Sequence, residues 1–450
     1  MPNADLRPTM PRGSEEARVL RDGRDGTRPA EPSLPAPCRV AVLWIDWYAY
    51  HVARFEGLAG TPELRGRVAG LEMVGGVGVH AGLKFREELP AGLPVETLLP
   101  ERSWGEAGQV RLAWAVWRAL DRLQPEVVLV PGYYTLPALA AAVWARVHGR
   151  TGVLMTESTA ADHRRRGWKE RLKGWLIRGL FRWAVAGGAA HVRYLEQLGF
   201  PADRIARFYD VVDNDRYRDE AEALRRSTTA AEAGMPGTPY FLYVGRLAAE
   251  KNVDGLLRSW VGYRRAGGRW PLVLVGDGPM AAELRAAAAG SGFGAEVHFA
   301  GLRGSRELPP VYAFAGCFVL PSTREPWGLV VNEAMASGLP VMVSDRCGCA
   351  EDLVLQGQNG LIFDPASGSE LETCLHLMSG FEADKRERMG RMSLEQIATY
   401  SPARFGAEIA RIAEWARVER ERSGHGRGGA GKRVLQAEGG RAERRRGRRP

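Results

Sequence analysis

Long apolar segments are absent from this sequence. No apolar run reaches the about 18–20 residues that a helix needs to span a bilayer, and the first residues lack the basic-then-apolar pattern of a secretory signal peptide. Cysteine is also scarce. The five cysteines are an odd number spread thinly through the chain, which argues against a disulfide framework. We therefore expect a cytoplasmic protein without membrane-spanning helices.

Apolar residues are scarce at both ends of the chain. Residues 1–37 carry six basic and six acidic residues, and their composition predicts a disordered extension. Residues 423–450 combine glycine with an excess of Arg and Lys, and they are predicted to form a basic disordered tail. Such a tail either binds anionic lipid or nucleic acid or simply extends into solvent. No specific nucleic acid is expected as a partner.

Between these ends, short Val- and Leu-rich runs alternate with segments of helical periodicity. Continuous apolar runs bounded by turns are typical of parallel strands buried between two layers of helices. A stretch rich in Ser, Thr, Ala, Gly and Pro interrupts the alternation, after which the pattern restarts. The sequence thus predicts an α/β fold with two doubly wound domains, and we expect ligands in the cleft at the carboxyl ends of their strands. The predicted units are a first domain at 38–225, a linker at 226–238, a second domain at 239–400 and a closing helix at 401–422.

Loops after the strands of the second half carry groups suited to a phosphorylated ligand. Arg246 offers a planar guanidinium and Lys251 a point charge, which together suit a diphosphate. Arg303 follows a later strand. A helix predicted after the strand CFVLPS would present free N–H groups to an anion in its first turn. That turn consists of Gly328, Leu329 and Val330.

Two carboxylates flank this helix start. Glu325 precedes the helix and Glu333 lies in its second turn. Eight residues of helix rise about 12 Å, which exceeds the roughly 5–9.5 Å between paired glycosidase carboxylates, so a hydrolytic acid–nucleophile pair is disfavoured. From the spacing alone, the two acids either hold hydroxyl groups of a bound ligand or are incidental charges on an exposed helix.

A family resemblance favours the first of these alternatives. The motifs YVGRLAAEKNVDGLLRSW, LVLVGDGPM, VHFAGLRG, FVLPSTREPWGLVVNEAMASGLPVMVSD and GLIFDP occur in this order within residues 238–420. This half of the chain resembles the retaining nucleotide-sugar glycosyltransferases of group 1, also called family four. The resemblance implies a GT-B fold, in which two Rossmann-like domains face each other across a cleft. It also implies hexose transfer from a nucleoside-diphosphate sugar to a hydroxyl acceptor, without a metal or a separate cofactor.

The resemblance implies a biological setting and roles for individual residues. The acceptor would be a saccharide or a lipid-linked molecule in cell-surface polysaccharide, lipopolysaccharide or glycolipid biosynthesis, at the inner face of the cytoplasmic membrane. Arg246 and Lys251 would neutralise the donor diphosphate, Glu325 would contact the transferred sugar, and Glu333 would hold the ribose. The amides of the helix start would contact the phosphates, with Arg303 as a further donor-binding residue.

Two rival interpretations stay open. The first is a phosphorylase or a sucrose-phosphate-type synthase of the same fold, although no specific motif indicates one. The second is a non-catalytic scaffold that uses its basic tail on membrane or nucleic acid. The presence of Arg246, Lys251, Glu325 and Glu333 argues against the scaffold.

The family pattern is weaker in the first half. The loop after the first strand, IDWYAYHVARFEGL, has no glycine before Gly57, where the family has a Gly-rich loop. The segment MTESTAADHRRR stands where the family often has a His, and Asp210 replaces a usual Asn. Acceptor-side residues are therefore predicted from their chemistry. The candidates are Tyr50, His51, Arg54, Glu157 and Asp162.

Two further segments carry distinctive side chains. Residues 163–183 place Trp and Leu at helical spacing among eight Arg or Lys, with Glu170 as the only acid. Such a helix either lies at an anionic membrane surface or packs into the core with its cations in solvent. Cys347 and Cys349 flank a glycine, but two thiols without further ligands at suitable spacing do not predict a metal site.

Overall fold

Two parallel sheets form the framework of the protein. The computed structural model describes residues 34, 35, 37–76, 89, 92–160 and 167–438. Most of the predicted extension at 1–37, the tail beyond Glu438 and the acceptor-side candidate Asp162 lie outside the described residues. Within them, the strands fall into two separate parallel sheets with crossover helices. The predicted α/β class with two doubly wound domains is confirmed.

The first sheet contains the strands of the first half. They are β1 Val40–Trp44, β2 Val68–Val74, β3 Val95–Leu99, β4 Val127–Pro131, β5 Thr151–Thr156, β6 Trp183–Ala186 and β7 Ile205–Ala206. Their order across the sheet is β3-β2-β1-β4-β5-β6-β7. Val40 pairs with Val68 on one side and Val127 on the other, so the apolar runs lie side by side. The sequence did not predict β3, because this edge strand is only half-buried and lacks a continuous apolar run.

Helices cover both faces of the first sheet. They are α1 Ala49–Gly60, α2 Trp104–Ala107, α3 Gln109–Leu123, α4 Leu136–Val147, α5 Gly167–Leu180 and α6 Ala189–Gln197, and this half of the chain ends in a further helix, α7 Asn214–Ser227. Buried side chains of α3, α4, α5 and α6 share one core with one face of the sheet. The opposite face packs against α1 through Phe55 and Leu58.

The second sheet has six strands in the described residues. They are β8 Phe241–Val244, β9 Leu272–Val275, β10 Val297–Gly301, β11 Cys317–Leu320, β12 Val341–Ser344 and β13 Gly360–Phe363, in the order β10-β9-β8-β11-β12-β13. The helices of this half are α8 Val253–Arg265, α9 Ala281–Gly290, α10 Pro309–Ala313, α11 Leu329–Ala336, α12 Ala350–Leu353, α13 Gly368–Gly380, α14 Ala383–Ala398 and α15 Pro402–Glu438. The strands point their carboxyl ends to one edge, where β8, β10 and β11 deliver the loops with the predicted donor-side residues.

Two helices cross between the domains. Helix α7 lies in the range predicted as the first domain, yet it packs against α10 and α11, with the Tyr217 and Tyr312 rings 5.9 Å apart. Helix α15 packs back on α1 of the first domain, and its Trp415 ring lies 5.7 Å from that of Trp183. It also continues past the predicted end at residue 422, since no proline interrupts the following stretch. These crossings fasten the two domains to each other.

Helix α5 forms most of the described part of the basic segment at 163–183, but Trp183, predicted on the same helix, begins β6 and is buried. The helix packs inward through Ile177 and through Gly174, where an added Cβ would lie only 2.4 Å from the Leu198 carbonyl oxygen. Its Trp and Leu side chains on the other face are exposed, so the core-packing alternative does not hold for them. The exposed residues are Trp168, Leu172, Trp175 and Leu176. None of the helices in the described residues combines the length and apolar character that crossing a bilayer requires.

Candidate active site

Two loops of the second domain meet beyond the carboxyl ends of β8 and β11. The first loop carries Lys251, and the second carries Ser322 and Glu325. Lys251 Nζ forms an ion pair with Glu325 Oε2, and Ser322 Oγ donates to the same oxygen at 3.2 Å. The two loops are also joined by a backbone bond from Thr323 N–H to the Glu250 carbonyl at 2.9 Å. The fold thus brings together a predicted cation and a predicted carboxylate that lie far apart in sequence.

The two predicted arginines follow β8 and β10, the two strands that flank β9 in the second sheet. Arg246 extends into solvent with 62% of its side chain exposed, and its guanidinium pairs with Glu250 rather than with Glu325. Arg303 follows β10 and lies 3.6 Å from Glu307. Its Nε is buried and has no hydrogen-bond partner within the described residues. Both arginines therefore have guanidinium N–H groups available for an anion.

Helix α11 begins next to Glu325. Gly328 caps it with φ of 106°, a backbone conformation that favours glycine. A Cβ added at Gly328 would lie 3.4 Å from Glu325 Cγ, so the helix start and this side chain are neighbours. The first N–H groups of a helix lack intrahelical partners, which leaves those of Leu329 and Val330 suited to an anion. Gly338, with φ of 76°, lies just past the end of the helix, as predicted.

Glu333 is held by two tyrosines. The Tyr312 hydroxyl donates to Glu333 Oε2 at 2.7 Å, and Tyr217 supplies a second hydrogen bond. Burial raises the pKa of Glu333 above its ordinary value, and the two phenols act in the opposite direction. Burial, and then the nearby Glu333, raise the pKa values of both tyrosines well above 10.0. The phenols therefore stay protonated, and their hydrogen bonds fix the orientation of the Glu333 carboxyl group.

A cavity of ≈ 390 Å³ lies between the two domains at Glu333. Its walls come from α1, from α7 and from the loop after β10. Residues that give it polar or charged groups include Tyr50, Glu56, Arg216, Tyr217, Arg306 and Glu333. One acceptor-side candidate, Tyr50, thus shares a cavity with one donor-side candidate, Glu333.

Arg54 is the centre of a buried cluster in the first domain. Its Nη2 donates to Asp210 Oδ1 at 3.0 Å, and both side chains are fully buried. The guanidinium lies 4.1 Å from the Tyr209 ring centroid and 4.9 Å from that of Tyr50. Burial raises the pKa of Asp210 well above its usual range, Glu157 raises it further, and Arg54 opposes both. The structure therefore gathers Tyr50, Arg54 and Glu157 around Asp210. In the sequence, Asp210 was distinguished only because it stands where the family usually has an Asn.

His51 has a packing role in the structure. Its ring stacks on Trp44 with centroids 4.7 Å apart, and its Nδ1 accepts the Tyr48 N–H at the start of α1. Burial lowers the pKa of His51 well below 6.5, and Arg54 lowers it further. The ring is therefore neutral and supports the entry of the chain into α1.

The loop with Cys347 and Cys349 lies against the Glu325 loop. Cys347 forms an isolated parallel bridge with Glu325, and burial raises the pKa of both thiols well above 9.0. Among the described residues, no group of three or more His, Cys, Asp or Glu is placed to hold a metal ion. Sequence reasoning did not assign this loop a part in the site, but its backbone supports Glu325.

The match to known families falls on the domain that carries these residues. A profile of the family Glycosyl transferases group 1 matches residues 227–393. The second domain belongs to this family. Alpha-D-kanosaminyltransferase of Streptomyces kanamyceticus is 28% identical over 213 residues, which cover 47% of this chain and 54% of that protein. Sulfoquinovosyl transferase SQD2 of Arabidopsis thaliana is 33% identical over 194 residues, covering 42% of this chain and 34% of that protein.

The two sequence relatives of this group 1 glycosyltransferase domain match less than half of the chain, whereas the structural match extends over most of it. The chain spans about half or less of the length of these two curated relatives, 54% and 34%. The crystal structure of Anabaena HepE in complex with UDP and glucose superposes with a TM-score of 0.64 at 18% identity, covering 84% of this chain and 99% of that one. This likeness concerns the fold, and it confirms the GT-B architecture that the resemblance implied.

Proposed function

We propose that this protein is a glycosyltransferase that moves a hexose from a nucleoside-diphosphate sugar to a hydroxyl acceptor with retention of configuration. The observation that carries the proposal is the contact between Lys251 and Glu325 beside the start of α11, within a group 1 glycosyltransferase domain. Both curated relatives described above are named as sugar transferases.

The proposed chemistry is stabilisation of the departing diphosphate. Negative charge grows on the leaving phosphate as the bond to the sugar breaks, and fixed cations and N–H dipoles stabilise it. Lys251 and Arg246 supply the cations, and the first N–H groups of α11, at residues 328–330, supply the dipoles. With this charge provided by the chain, we propose that neither a metal nor a cofactor takes part. Turnover that survives excess chelator would support this point, and turnover restored only by a divalent cation would contradict it.

The two acids receive separate tasks in the proposal. Glu325, held by Lys251 and Ser322, keeps a carboxylate oriented to accept hydroxyl hydrogens of the transferred hexose. Glu333, anchored by its tyrosines, accepts the ribose hydroxyls at the edge of the interdomain cavity. No residue is assigned as a covalent nucleophile.

The acceptor side is assigned to the first domain. Glu157 lies close enough to Asp210 to raise the pKa of the Asp210 carboxyl group further after burial, and Arg54 lies beside Asp210. A carboxyl pair of this kind can take up a proton from an acceptor hydroxyl. We propose that Glu157, the less buried of the two acids, faces the acceptor.

We further propose a peripheral membrane location and a lipid-linked acceptor. Trp168 and Trp175 of α5 are 60% and 68% exposed, and Trp114 of α3 and Tyr134 before α4 are also exposed. Because α3, α4 and α5 cover the same face of the sheet, these aromatic side chains lie on one outer surface. Lys and Arg outnumber acids on these helices, which favours an anionic bilayer such as the inner leaflet. This setting suits polysaccharide, lipopolysaccharide or glycolipid synthesis.

A donor screen tests the proposed activity. A panel of uridine, guanosine and adenosine diphosphate hexoses is added to the full chain, and the melting temperature is recorded, because a ligand of the folded state raises it. The donor that gives a shift is then assayed for release of the nucleoside diphosphate. A shift with turnover supports the proposal. No shift and no turnover with any donor, together with retained vesicle or polyanion binding, would favour the non-catalytic scaffold.

A further inference from the structure

Three consecutive backbone carbonyls around Glu325 each accept a hydrogen bond. Gly348 N–H donates to the Glu325 carbonyl at 2.9 Å, and Cys349 N–H donates to the Trp327 carbonyl at 3.2 Å. Both donors belong to the second domain. The carbonyl between them, that of Pro326, lies 2.9 Å from Nε2 of His191, at the start of α6 in the first domain. The middle one of these three carbonyls is therefore bound by a residue of the first domain, across the domain interface.

The hydrogen bonds of His191 define its tautomer. Nδ1 accepts the Gly188 N–H at 3.2 Å, so this nitrogen carries a lone pair. Nε2 faces the Pro326 carbonyl, which can only accept. The neutral ring with its hydrogen on Nε2 satisfies both contacts at once. Because the ring is fully buried, loss of this donor would leave the Pro326 carbonyl without an equivalent partner from water.

The packing around this bond leaves no room for displacement. A Cβ added at Gly348 would lie 1.8 Å from the Pro326 oxygen and 3.0 Å from His191 Cε1. A Cβ added at Gly188 would lie 2.7 Å from the Trp327 ring. Backbone from both domains thus touches the segment on two sides, and two glycines permit this approach. A small separation of the domains would lengthen the bond from His191 before it disturbed the two bonds within the second domain.

We propose that His191 is a positioning residue for sugar transfer, whose hydrogen bond to the Pro326 carbonyl orients Glu325 when the two domains are together. This inference rests on the proposed function, since it assigns Glu325 to the transferred sugar. The role assigned to His191 needs no contact with the donor. His191 acts by holding the peptide that follows Glu325, and small misplacements of a group that contacts the substrate lower the rate of the chemical step strongly.

Two substitutions separate the donor function of the ring from its volume. His191→Phe keeps an aromatic ring against Trp327 but cannot donate, whereas His191→Gln places an amide N–H near the position of Nε2. We expect His191→Phe to lower kcat by about tenfold with little change in KM for the nucleotide sugar, and His191→Gln to restore most of the loss. Equal kcat in the wild type and His191→Phe, or equal losses in both variants, would overturn the proposal.

Arg193→Ala is the matched control. Arg193 lies on the same helix and pairs across the same interface with Glu351 at 2.6 Å, but both side chains are largely exposed. We expect this variant to keep its kcat, so a loss equal to that of His191→Phe would indicate general weakening of the interface and would count against the proposal.

Hydrogen exchange gives a readout that does not require turnover. In His191→Phe, the amides of the segment around residues 325–327 and of Gly348 and Cys349 should exchange faster, while in Arg193→Ala they should keep the wild-type rate. Unchanged exchange in His191→Phe would overturn the inference even if no donor were turned over. Failure of the wild type to turn over any donor while exchange responds as expected would instead count against the proposed function.

Discussion

The side-chain amide of Asn332 donates to the backbone carbonyl of Asp210 at 2.9 Å. The same amide accepts from Trp327 Nε1, also at 2.9 Å, and all of these groups are buried. Asn332 immediately precedes Glu333, so the helix that carries this acid is fastened directly to the first domain. Each of the two glutamates therefore has a chain neighbour that bonds across the interface, Pro326 for Glu325 and Asn332 for Glu333.

Substitution of Asn332 should test how much this link stabilises the protein. Asn332→Ala leaves the Trp327 N–H and the Asp210 carbonyl unpaired in the interior, and we expect the free energy of unfolding to fall by about 3 kcal/mol. Denaturant unfolding followed by tryptophan fluorescence measures the change. The exposed Gln358→Ala in the same domain is the control and should stay within about 0.5 kcal/mol of the wild type. A similar small change in Asn332→Ala would mean that the link contributes little.

Lys251 and Glu325 should respond differently to truncation. Lys251→Ala removes a cation from the diphosphate in both the bound and the transition state, so we expect weaker donor binding and turnover lower by about 10²–10³-fold. Glu325→Ala should lower turnover more than donor affinity, because its contact is with the transferred sugar. Steady-state kinetics and calorimetry with the nucleoside diphosphate separate the two effects. Arg258→Ala, on the exposed face of α8, is the control, and unchanged turnover in Glu325→Ala would refute the role of that residue.

Glu333 should make stability depend on pH. Its pKa in the folded protein is raised above the ordinary value of 4.5 by burial, so the folded state favours the protonated acid. The corresponding stability is fully present below pH 4.5 and is lost as the pH rises through the raised pKa. Glu333→Gln stays neutral, and we expect it to melt at a higher temperature than the wild type at pH 7 but at the same temperature near pH 4. It should also bind the nucleoside diphosphate about tenfold more weakly. An equal difference in melting temperature between Glu333→Gln and the wild type at both pH values would contradict this account.

The exposed tryptophans of α5 should govern vesicle binding. Replacing Trp168 and Trp175 by Ser removes two large apolar side chains from the outer face, and we expect binding to vesicles with about a third phosphatidylglycerol to weaken by at least tenfold. Sedimentation with the vesicles measures the bound fraction. Leu377→Ser is the control, because Leu377 is 47% exposed but lies on α13 of the other domain. Undiminished vesicle binding in the double variant, with a change from dimer to monomer, would instead identify the face as a contact between two copies.

Much of the donor side could be predicted from the sequence because its information is local. Lys251 and Glu325 each follow an apolar strand by a few residues, and parallel strands deliver such loops to one edge. The helix start at Gly328 could be predicted for the same reason, from a strand, a loop and a glycine in succession. The ion pair of Lys251 with Glu325 then follows from the pairing of β8 with β11.

The interface between the domains could not be predicted in this way. His191 is a single histidine within an ordinary helical pattern, and its partner Pro326 lies 135 residues away in sequence. Asp210 was noticed only as a replacement, since nothing local indicates that Arg54 lies beside it. The edge strand β3 could not be predicted because its sequence lacks the continuous apolar run of a buried strand. Contacts of this kind depend on how two finished sheets meet, which hydrophobic periodicity does not report.

The return of α15 to the first domain has a consequence for biosynthesis. Phe405, Ile409 and Ile412 fill the same core as Phe55 and Leu58 of α1. A ribosome completes the first sheet long before it makes this helix, so one apolar face stays uncovered while the second domain is synthesised. We expect a fragment ending at residue 225 to aggregate, and addition of a synthetic α15 peptide to rescue it in part. Folding of the first domain is thus completed by the last helix of the chain, and the nascent protein must be protected until then.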